Sequence, residues 1–370
     1  MDYIKKLFTK QTLYDHKGTD KLFLKAVKMN VAFHLIHCPK YAAILTSRHF
    51  KLNQVKSYDD LYKLPPIPTL YYKTHRFYSI PEDKLLIKAT SSGTKGKKSH
   101  IGFDVKGLLY GAHMVWHTAR FHKLLSIKPT NYIVFGYKPA KNNHTVISKT
   151  AFGSTFFAPS IKRTYALIPT PEGYQLNLPD LKKSLIKYSQ QPFPVRFIGF
   201  PAYLYFFLQE LKDSGVRLKL HKASKVFIGG GWKQFYAEKV DKKALYSLIE
   251  EVLGIPETNC HEFFGAVEHP IIYCDCKNHH FHVPSYSRVI VRDINTLLPV
   301  ENGTVGLMNF ITPMMDSMPL TSVMTDDLGI LHDGQECGCG ITTPYFEIIG
   351  RVGISDIKTC AAGAEELLNN

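Results

Sequence analysis

The feature that most constrains the fold is a regular alternation of short apolar runs with amphipathic stretches. Runs with the character of β-strands occupy residues 85–89, 132–137, 196–200 and 226–228. Between them, residues 105–116 and 244–252 repeat apolar side chains at the spacing of one helix face. Strands that alternate with helices predict an α/β fold with a mostly parallel sheet.

The two ends of the chain depart from this pattern. Residues 1–60 are predicted to be mainly helical. Pro65, Pro66 and Pro68 then impose an extended segment, because each proline disfavours helix in the residue before it. Beyond about residue 285 the apolar runs become shorter, which predicts a β-rich subregion. Its strands are expected at 288–294, 305–311, 323–331 and 345–349.

The composition is that of a folded globular protein, with 45% hydrophobic and 12% aromatic residues. No apolar run approaches the roughly 18 residues that span a bilayer, and residues 1–10 lack the apolar core of a signal peptide. We therefore expect a cytoplasmic protein that is not integral to a membrane.

The net charge of +15 would suit a nucleic-acid binder, but the lysines are scattered and no nucleic-acid-binding motif occurs. We expect a solvated basic surface and no nucleic-acid partner.

The most informative segment, residues 90–99, reads Thr-Ser-Ser-Gly-Thr-Lys-Gly-Lys-Lys-Ser. Glycines let backbone N–H groups converge on phosphate oxygens, hydroxyls add donors, and lysines add positive charge. A Walker A loop is excluded because Lys98 stands five residues after Gly93, where that motif requires glycine. The loop predicts an ATP-phosphate site formed by Ser91, Ser92, Gly93, Thr94, Lys95, Gly96 and Lys97.

Three later segments accompany this loop. Residues 264–268 read Phe-Gly-Ala-Val-Glu, residues 325–329 read Thr-Asp-Asp-Leu-Gly, and residues 350–358 contain Gly-Arg followed by Ser-Asp-Ile-Lys. In this order, the four segments resemble the motifs of the adenylate-forming superfamily, which includes acyl-CoA synthetases, luciferases and nonribosomal adenylation domains. The resemblance implies the α/β fold of the large N-terminal domain of these enzymes, which activate carboxylic acids with ATP and Mg²⁺.

The resemblance also implies a role for each motif. Phe264, followed by Gly265, would stack on adenine, and Glu268 would bind Mg²⁺, which prefers oxygen ligands. Asp327 would accept hydrogen bonds from the ribose hydroxyls, and Arg351 would donate near the ribose or a phosphate. Close approach of the backbone to the nucleotide and the acyl carboxylate is expected at Gly229 and Gly230.

The chain departs from the superfamily pattern at its C-terminal end. Typical members carry a further domain after the Gly-Arg motif, with a lysine that contacts the transferring carboxylate and phosphate. Here we expect one adenylate-forming domain over residues 1–350 and a short tail over residues 351–370. Lys358 or a lysine of the phosphate loop would have to replace the missing lysine.

The tail and the segments at residues 280–293 and 324–331 narrow the resemblance to the acyl-protein synthetases of the bacterial luciferase fatty-acid reductase system. That family implies an acyl-adenylate of a long-chain fatty acid, followed by transfer of the acyl group to a cysteine near the C-terminus. Cys360 stands at the matching place, and a thiolate is a good nucleophile toward a mixed anhydride. The expected partner is an acyl-protein reductase or an acyl carrier protein.

Cysteines and histidines form a separate constellation. Cys276 and His282 are close in sequence, and Cys337 and Cys339 follow later. Two ligands from each of two short segments are typical of structural zinc sites, in which four protein ligands close the coordination shell. The pattern predicts a structural Zn²⁺ site, with free cysteines and surface histidines as the alternative.

Two other functions stay open at this stage. An acyl- or aryl-CoA ligase shares the adenylation step but hands the acyl group to coenzyme A, normally with the help of the C-terminal domain. A non-catalytic basic binding protein belongs to another class, and the near-complete set of motifs disfavours it.

Overall fold

The computed structural model of the chain describes residues 2–90, 99–140, 146–171, 173–232 and 239–352. Over these ranges the chain forms nine α-helices and fifteen β-strands. The helices are α1 Tyr3–Phe8, α2 Asp20–His37, α3 Pro39–Ser47, α4 Thr69–Thr74, α5 Val105–Phe121, α6 Val146–Ser154, α7 Leu178–Ser189, α8 Pro201–Asp213 and α9 Lys242–Leu253. The strands are β1 Ile67–Pro68, β2 Ile87–Thr90, β3 His100–Phe103, β4 Thr130–Tyr137, β5 Ser160–Thr170, β6 Gly173–Leu176, β7 Val195–Gly199, β8 Lys225–Gly229, β9 Cys260–Ala266, β10 His269–Cys274, β11 Phe281–His282, β12 Arg288–Arg292, β13 Gly306–Ile311, β14 Ser322–His332 and β15 Tyr345–Arg351.

The alternation predicted from the apolar runs is confirmed. The predicted strands correspond to β2, β4, β7 and β8, and the two predicted helices are α5 and α9. The N-terminal helices α1 to α3 and the C-terminal strands β12 to β15 also lie where the sequence places them. In the described ranges, no helix is both long enough and apolar enough to cross a bilayer.

The chain divides into two compact units. The first comprises Met1–Thr118 and Gly265–Asn370, and the second comprises Ala119–Phe264. The expectation of one domain over residues 1–350 with a tail over residues 351–370 stays a prediction, since residues 353–370 lie outside the described ranges.

The first unit is built on a mixed sheet. Its strands lie in the order β11-β15-β14-β13-β12, and β1 pairs with β14 in parallel. The β13–β14 and β14–β15 pairings are antiparallel. Strands β2 and β3 form a separate two-stranded sheet, and the predicted phosphate loop connects them. Helix α2 is anchored by Asn30 and His34, which donate to the carbonyl oxygen of Met315 over 2.8 and 3.0 Å.

The second unit is an α/β layer structure. Its strands lie in the order β9-β8-β7-β4-β5-β6, in which only β6 is antiparallel to its neighbour. One face of this sheet is covered by α7, α8 and α9. Their buried side chains, which include Leu181, Leu185, Leu204, Leu208 and Ile249, pack with Ile133, Phe197 and Val226 of the strands. In open parallel sheets, ligands bind beyond the carboxyl ends of the strands, which draws attention to the residues that end β7 and β8.

Candidate active site and metal centre

Glu268 lies on the two-residue turn between β9 and β10, and 5% of it is exposed. Its Oε1 accepts a hydrogen bond from the hydroxyl of Ser99, a buried residue that ends the segment 90–99 of the predicted phosphate loop. Burial has the largest effect on this carboxyl and raises its pKa, whereas the Ser99 hydroxyl lowers it. An ionised carboxylate in such a place gains from a nearby cation, so the surroundings of Glu268 fit a Mg²⁺ ligand.

Helix α4 contributes two polar side chains that the sequence analysis did not single out. Thr69 Oγ1 donates to Asp326 Oδ1 over 3.1 Å, and Lys73 Nζ lies 3.6 Å from Asp326 Oδ2. The positive charge of Lys73 lowers the pKa of Glu268, and the negative charge of Asp326 raises it, both to a smaller extent than burial. Lys73 is therefore a cation placed close to two carboxylates of the candidate site.

Asp327 and Arg351 are brought together by the pairing of β14 with β15. The two residues are direct partners in the antiparallel register, and Arg351 Nε donates to Asp327 Oδ1 over 2.8 Å. The side chain of Asp327 is 8% exposed and that of Arg351 is 61% exposed. An ion pair with one solvated partner adds little stability. We interpret the contact as fixing the orientation of Asp327 while the Arg351 guanidinium stays within reach of a ligand.

Gly329, the glycine of the Thr-Asp-Asp-Leu-Gly motif, is required by packing. A Cβ at this position would lie 2.5 Å from both the carbonyl oxygen of Glu347 and the Sδ of Met308. The pairing with β15 also shifts register between Leu328 and Gly329. A side chain here would force apart the strands on both sides of β14 and would disturb the neighbouring Asp327.

In the second unit, the predicted glycines lie at the carboxyl end of β8. A Cβ on Gly229 would lie 2.8 Å from the carbonyl oxygen of Phe263, and Gly230 has a φ of +81°, which glycine adopts without strain. Gly199, which the sequence analysis did not single out, ends the neighbouring strand β7. A Cβ there would lie 2.2 Å from the carbonyl oxygen of Phe135.

Phe264 and Gly265 lie in β9, where Phe264 is half-buried and Gly265 is exposed. Their predicted place beside adenine stays a prediction. The remaining candidates lie outside the described residues, so their roles stay predictions. These candidates are Ser91, Ser92, Gly93, Thr94, Lys95, Gly96, Lys97, Lys358 and Cys360.

The four predicted zinc ligands come together in the first unit. One ligand atom each from Cys276, His282, Cys337 and Cys339 lies within 4.8 Å of all the others. Cys276 Sγ and Cys337 Sγ are 3.5 Å apart, and Cys339 Sγ is 3.2 Å from His282 Nε2. Zn–S bonds of about 2.3 Å in a tetrahedron place neighbouring sulfurs about 3.8 Å apart. The donor set and its dimensions therefore fit Zn²⁺.

Hydrogen bonds around the cluster hold its nitrogen and sulfur atoms in arrangements that suit metal ligands. His282 Nδ1 donates to the carbonyl oxygen of Thr343 over 2.7 Å, which leaves Nε2 as the unprotonated nitrogen that faces Cys339. The backbone N–H of Asn278 donates to Cys276 Sγ over 3.3 Å. Burial raises the pKa of the Cys276 thiol, so a thiolate at this position requires a cation.

Comparison with known proteins agrees with the motifs. A family model described as acyl-protein synthetase, LuxE, matches residues 9–369. One relative, a long-chain-fatty-acid--luciferin-component ligase from Aliivibrio fischeri, is 25% identical over 335 residues, which cover 85% of this chain and 82% of the relative. A ligase of the same name from Vibrio harveyi is 24% identical over 316 residues, which cover 82% of this chain and 78% of the relative.

Solved structures agree on the fold. A 2-hydroxyisobutyryl-CoA ligase in the postadenylation state, in complex with 2-HIB-AMP, superposes with a TM-score of 0.66 at 15% identity, covering 92% of this chain and 70% of the ligase. A long-chain-fatty-acid-CoA ligase from Archaeoglobus fulgidus gives a TM-score of 0.50 at 13% identity, covering 77% and 55% of the two chains. These similarities confirm the predicted α/β fold of the adenylate-forming enzymes. With the family model matched over residues 9–369, the chain belongs to the acyl-protein synthetase (LuxE) family.

Proposed function

We propose that this chain activates a long-chain fatty acid with ATP as its acyl-adenylate and then transfers the acyl group to a protein thiol. The observation that carries the proposal is the pairing of Asp327 with Arg351, in the same unit as the buried Glu268–Ser99 contact. The class of acid is supported by the names of the two relatives, which are both long-chain-fatty-acid ligases.

In the first step, an oxygen of the substrate carboxylate forms a bond to the α-phosphorus of ATP. The bond from that phosphorus to the bridging oxygen breaks, and pyrophosphate leaves. Cations held in place beforehand stabilise the negative charge of this transition state, and Lys73 and Arg351 are such cations. Asp327 would orient the ribose by accepting its hydroxyl hydrogens. Mg²⁺ held by Glu268 would neutralise charge on the phosphates.

In the second step, a thiolate attacks the carbonyl carbon of the acyl-adenylate. A C–S bond forms, the C–O bond to the phosphate breaks, and AMP leaves. We propose Cys360 as the nucleophile, and Lys358 or a phosphate-loop lysine as the lysine that contacts the transferring carboxylate and phosphate. A cytoplasmic location would keep the thiol reduced. An acyl-protein reductase or an acyl carrier protein would then receive the acyl group.

For the cluster of Cys276, His282, Cys337 and Cys339 we propose a structural Zn²⁺. Four protein ligands leave no coordination position for a substrate. His282 pairs with Tyr345 at the start of β15, and β15 ends at Arg351. The metal would therefore hold the strand that carries Arg351, which links the zinc site to the geometry of the candidate active site.

Carboxylate-dependent ATP–pyrophosphate exchange tests the adenylation step. We expect exchange with myristate but not with benzoate. Asp327→Asn should lower kcat/KM for ATP about 10- to 100-fold, because a hydrogen bond to a charged acceptor contributes about 1.5–3 kcal/mol. The matched control is Asp213→Asn, an exposed position in the second unit, which should exchange like the unmodified protein. Folded protein that exchanges with no acid would contradict the proposal, and acyl transfer to coenzyme A would favour a CoA ligase instead.

The acceptor is tested by labelling with radioactive myristate and ATP. Cys360→Ser should lose the label that neutral hydroxylamine releases, because a serine ester resists this reagent whereas a thioester does not. Pyrophosphate exchange should persist, since the first step does not use the thiol. Cys38→Ser, which changes a buried cysteine at the start of α3, should keep the label. A hydroxylamine-sensitive label on the Cys360→Ser protein would rule out this acceptor.

The electrostatics of Glu268 predict how stability depends on pH. Because its pKa is raised in the folded protein, its favourable contribution is fully present below the ordinary glutamate pKa and is lost as the pH rises through the raised value. The Tm of Glu268→Gln relative to the unmodified protein should therefore increase as the pH rises above the ordinary glutamate pKa. The exposed control Glu301→Gln should show no such trend. A pH-independent difference for Glu268→Gln would contradict the assignment.

Elemental analysis tests the metal. Protein purified without chelator should contain one zinc per chain, and Cys337→Ser should lose it. The same change should lower the free energy of unfolding by about 4 kcal/mol or more, as expected for the loss of a bound metal. Cys260→Ser changes a buried cysteine outside the cluster and should keep the zinc. Unmodified protein that is folded and free of zinc would refute the site.

A further inference from the structure

One stretch of the chain contains no acidic residue. The chain has 31 Asp and Glu among 370 residues, yet none lies between Val105 and Pro171, where Lys or Arg occupies nine positions. Within this stretch the tripeptide Ser-Ile-Lys occurs twice, at residues 126–128 and 160–162. The fold of the second unit brings the two copies to the same place.

The amino-terminal ends of β4 and β5 meet at one edge of the second unit. These strands are parallel, and Thr130 at the start of β4 pairs with Ser160 at the start of β5. The segments that lead into them are joined by backbone hydrogen bonds. Ser126 N donates to the Phe157 carbonyl oxygen over 2.9 Å, and Thr130 N donates to that of Pro159 over 2.8 Å. Both Ser-Ile-Lys segments therefore lie at this edge.

Large apolar side chains project from this edge into solvent. Ile127 is 93% exposed, Phe156 is 66% exposed and Ile161 is 47% exposed. Ile161 lies outside the β4–β5 register, because Thr130 pairs with Ser160 and the next residue of β4 pairs with Lys162. Exposed apolar side chains that cluster, rather than occur singly, mark interaction surfaces.

Positive charges surround these apolar side chains. Lys128 and Lys162 are exposed, and among the described residues neither makes an ion pair. The Arg163 guanidinium lies 5.4 Å from the centre of the Phe156 ring, and its Nε donates to Thr155 Oγ1 over 2.7 Å. The edge therefore combines unneutralised cations with protruding apolar groups. A partner that binds it must supply both negative charge and an apolar region that the protruding side chains can enter.

We propose that this edge, formed by Ile127, Lys128, Phe156, Ile161 and Lys162, docks on the surface of a bilayer that contains anionic phospholipid. Lysines beside a membrane gain from the negative surface potential, and isoleucine and phenylalanine enter the boundary between head groups and acyl chains. A protein partner would instead favour anchors seated in packed pockets. Here the apolar groups protrude from the ends of strands and helices.

Within the second unit, the edge is separate from the glycines predicted to approach the nucleotide. Gly199 and Gly229 lie at the carboxyl ends of β7 and β8, which run parallel to β4. The Ser-Ile-Lys segments lie at the opposite, amino-terminal ends. Docking through this edge would leave the carboxyl ends of the strands unobstructed, and the proposal does not depend on the chain forming an adenylate.

Co-sedimentation with vesicles tests the proposal, using the full chain. We expect binding to phosphatidylcholine vesicles that contain phosphatidylglycerol, little binding to pure phosphatidylcholine, and weaker binding at high salt. Lys128→Gln and Lys162→Gln should each lower the partition coefficient about fivefold. The double change Ile127→Ser with Phe156→Ser should lower it more than about tenfold, because two apolar side chains no longer enter the bilayer.

The controls match these changes in kind and exposure. Ile36→Ser, at a residue that is 75% exposed on α2, and Lys243→Gln, at an exposed residue of α9, should bind vesicles like the unmodified protein. All edge variants should retain pyrophosphate exchange if the unmodified chain has it, which separates this test from that of the proposed function. Absence of binding to anionic vesicles, or binding that the edge variants leave unchanged, would overturn the proposal. So would an edge that captures acidic protein or nucleic acid but not vesicles.

Discussion

Antiparallel pairing of β14 with β15 sets Asp327 opposite Arg351, and the other groups of the first unit are placed relative to that pair. A slip of one residue would turn Asp327 to the other face of the sheet. Gly329 permits the close approach of the strands next to this point. The parallel pairing of β1 with β14 brings α4, and with it Lys73, to the neighbouring Asp326. The sheet therefore organises residues that lie far apart in the sequence.

Charge balance supports the proposal that these residues bind a polyphosphate together with a divalent cation. Among the described residues, the carboxylates of Glu268, Asp326 and Asp327 stand near the cations Lys73 and Arg351, with one negative charge in excess. A divalent cation at Glu268 would make the net charge of this group of residues positive. Burial raises the pKa of that glutamate, so its ionisation disfavours the folded state until a cation is present. A local loss of folding free energy of this kind is typical of sites arranged to bind a ligand rather than to stabilise the fold.

Local pattern was enough to predict much of the fold and part of the candidate site. Apolar periodicity predicted β4, α5 and α9, and spacing predicted the cluster that includes Cys276 and Cys339. Contacts between distant segments were not predictable in this way. Ser99 and Lys73 carry no local signal for Glu268, because their contacts depend on tertiary packing.

The division into two units was equally hidden, for a physical reason. The boundaries fall inside regular elements, within the helix α5 at Thr118 and within the strand β9 at Phe264. A linker would show a change of composition, but an uninterrupted helix or strand keeps its own periodicity through the boundary. The sequence therefore shows the elements clearly and gives no sign of where one unit ends.

The distribution of positive charge is a further property that the sequence pattern alone does not reveal. Spacing along the chain led to the expectation of a solvated surface with scattered lysines, yet proximity in space depends on strand order and direction. Lys128 and Lys162 lie at the same edge because β4 and β5 are parallel and begin at the same level. Each lysine is preceded by an isoleucine. The Ser-Ile-Lys repeat, which is inconspicuous in the sequence, therefore places both cationic and apolar side chains at one edge. A charge that is merely solvated needs no such apolar companions, and their exposure is what distinguishes this edge from the rest of the basic surface.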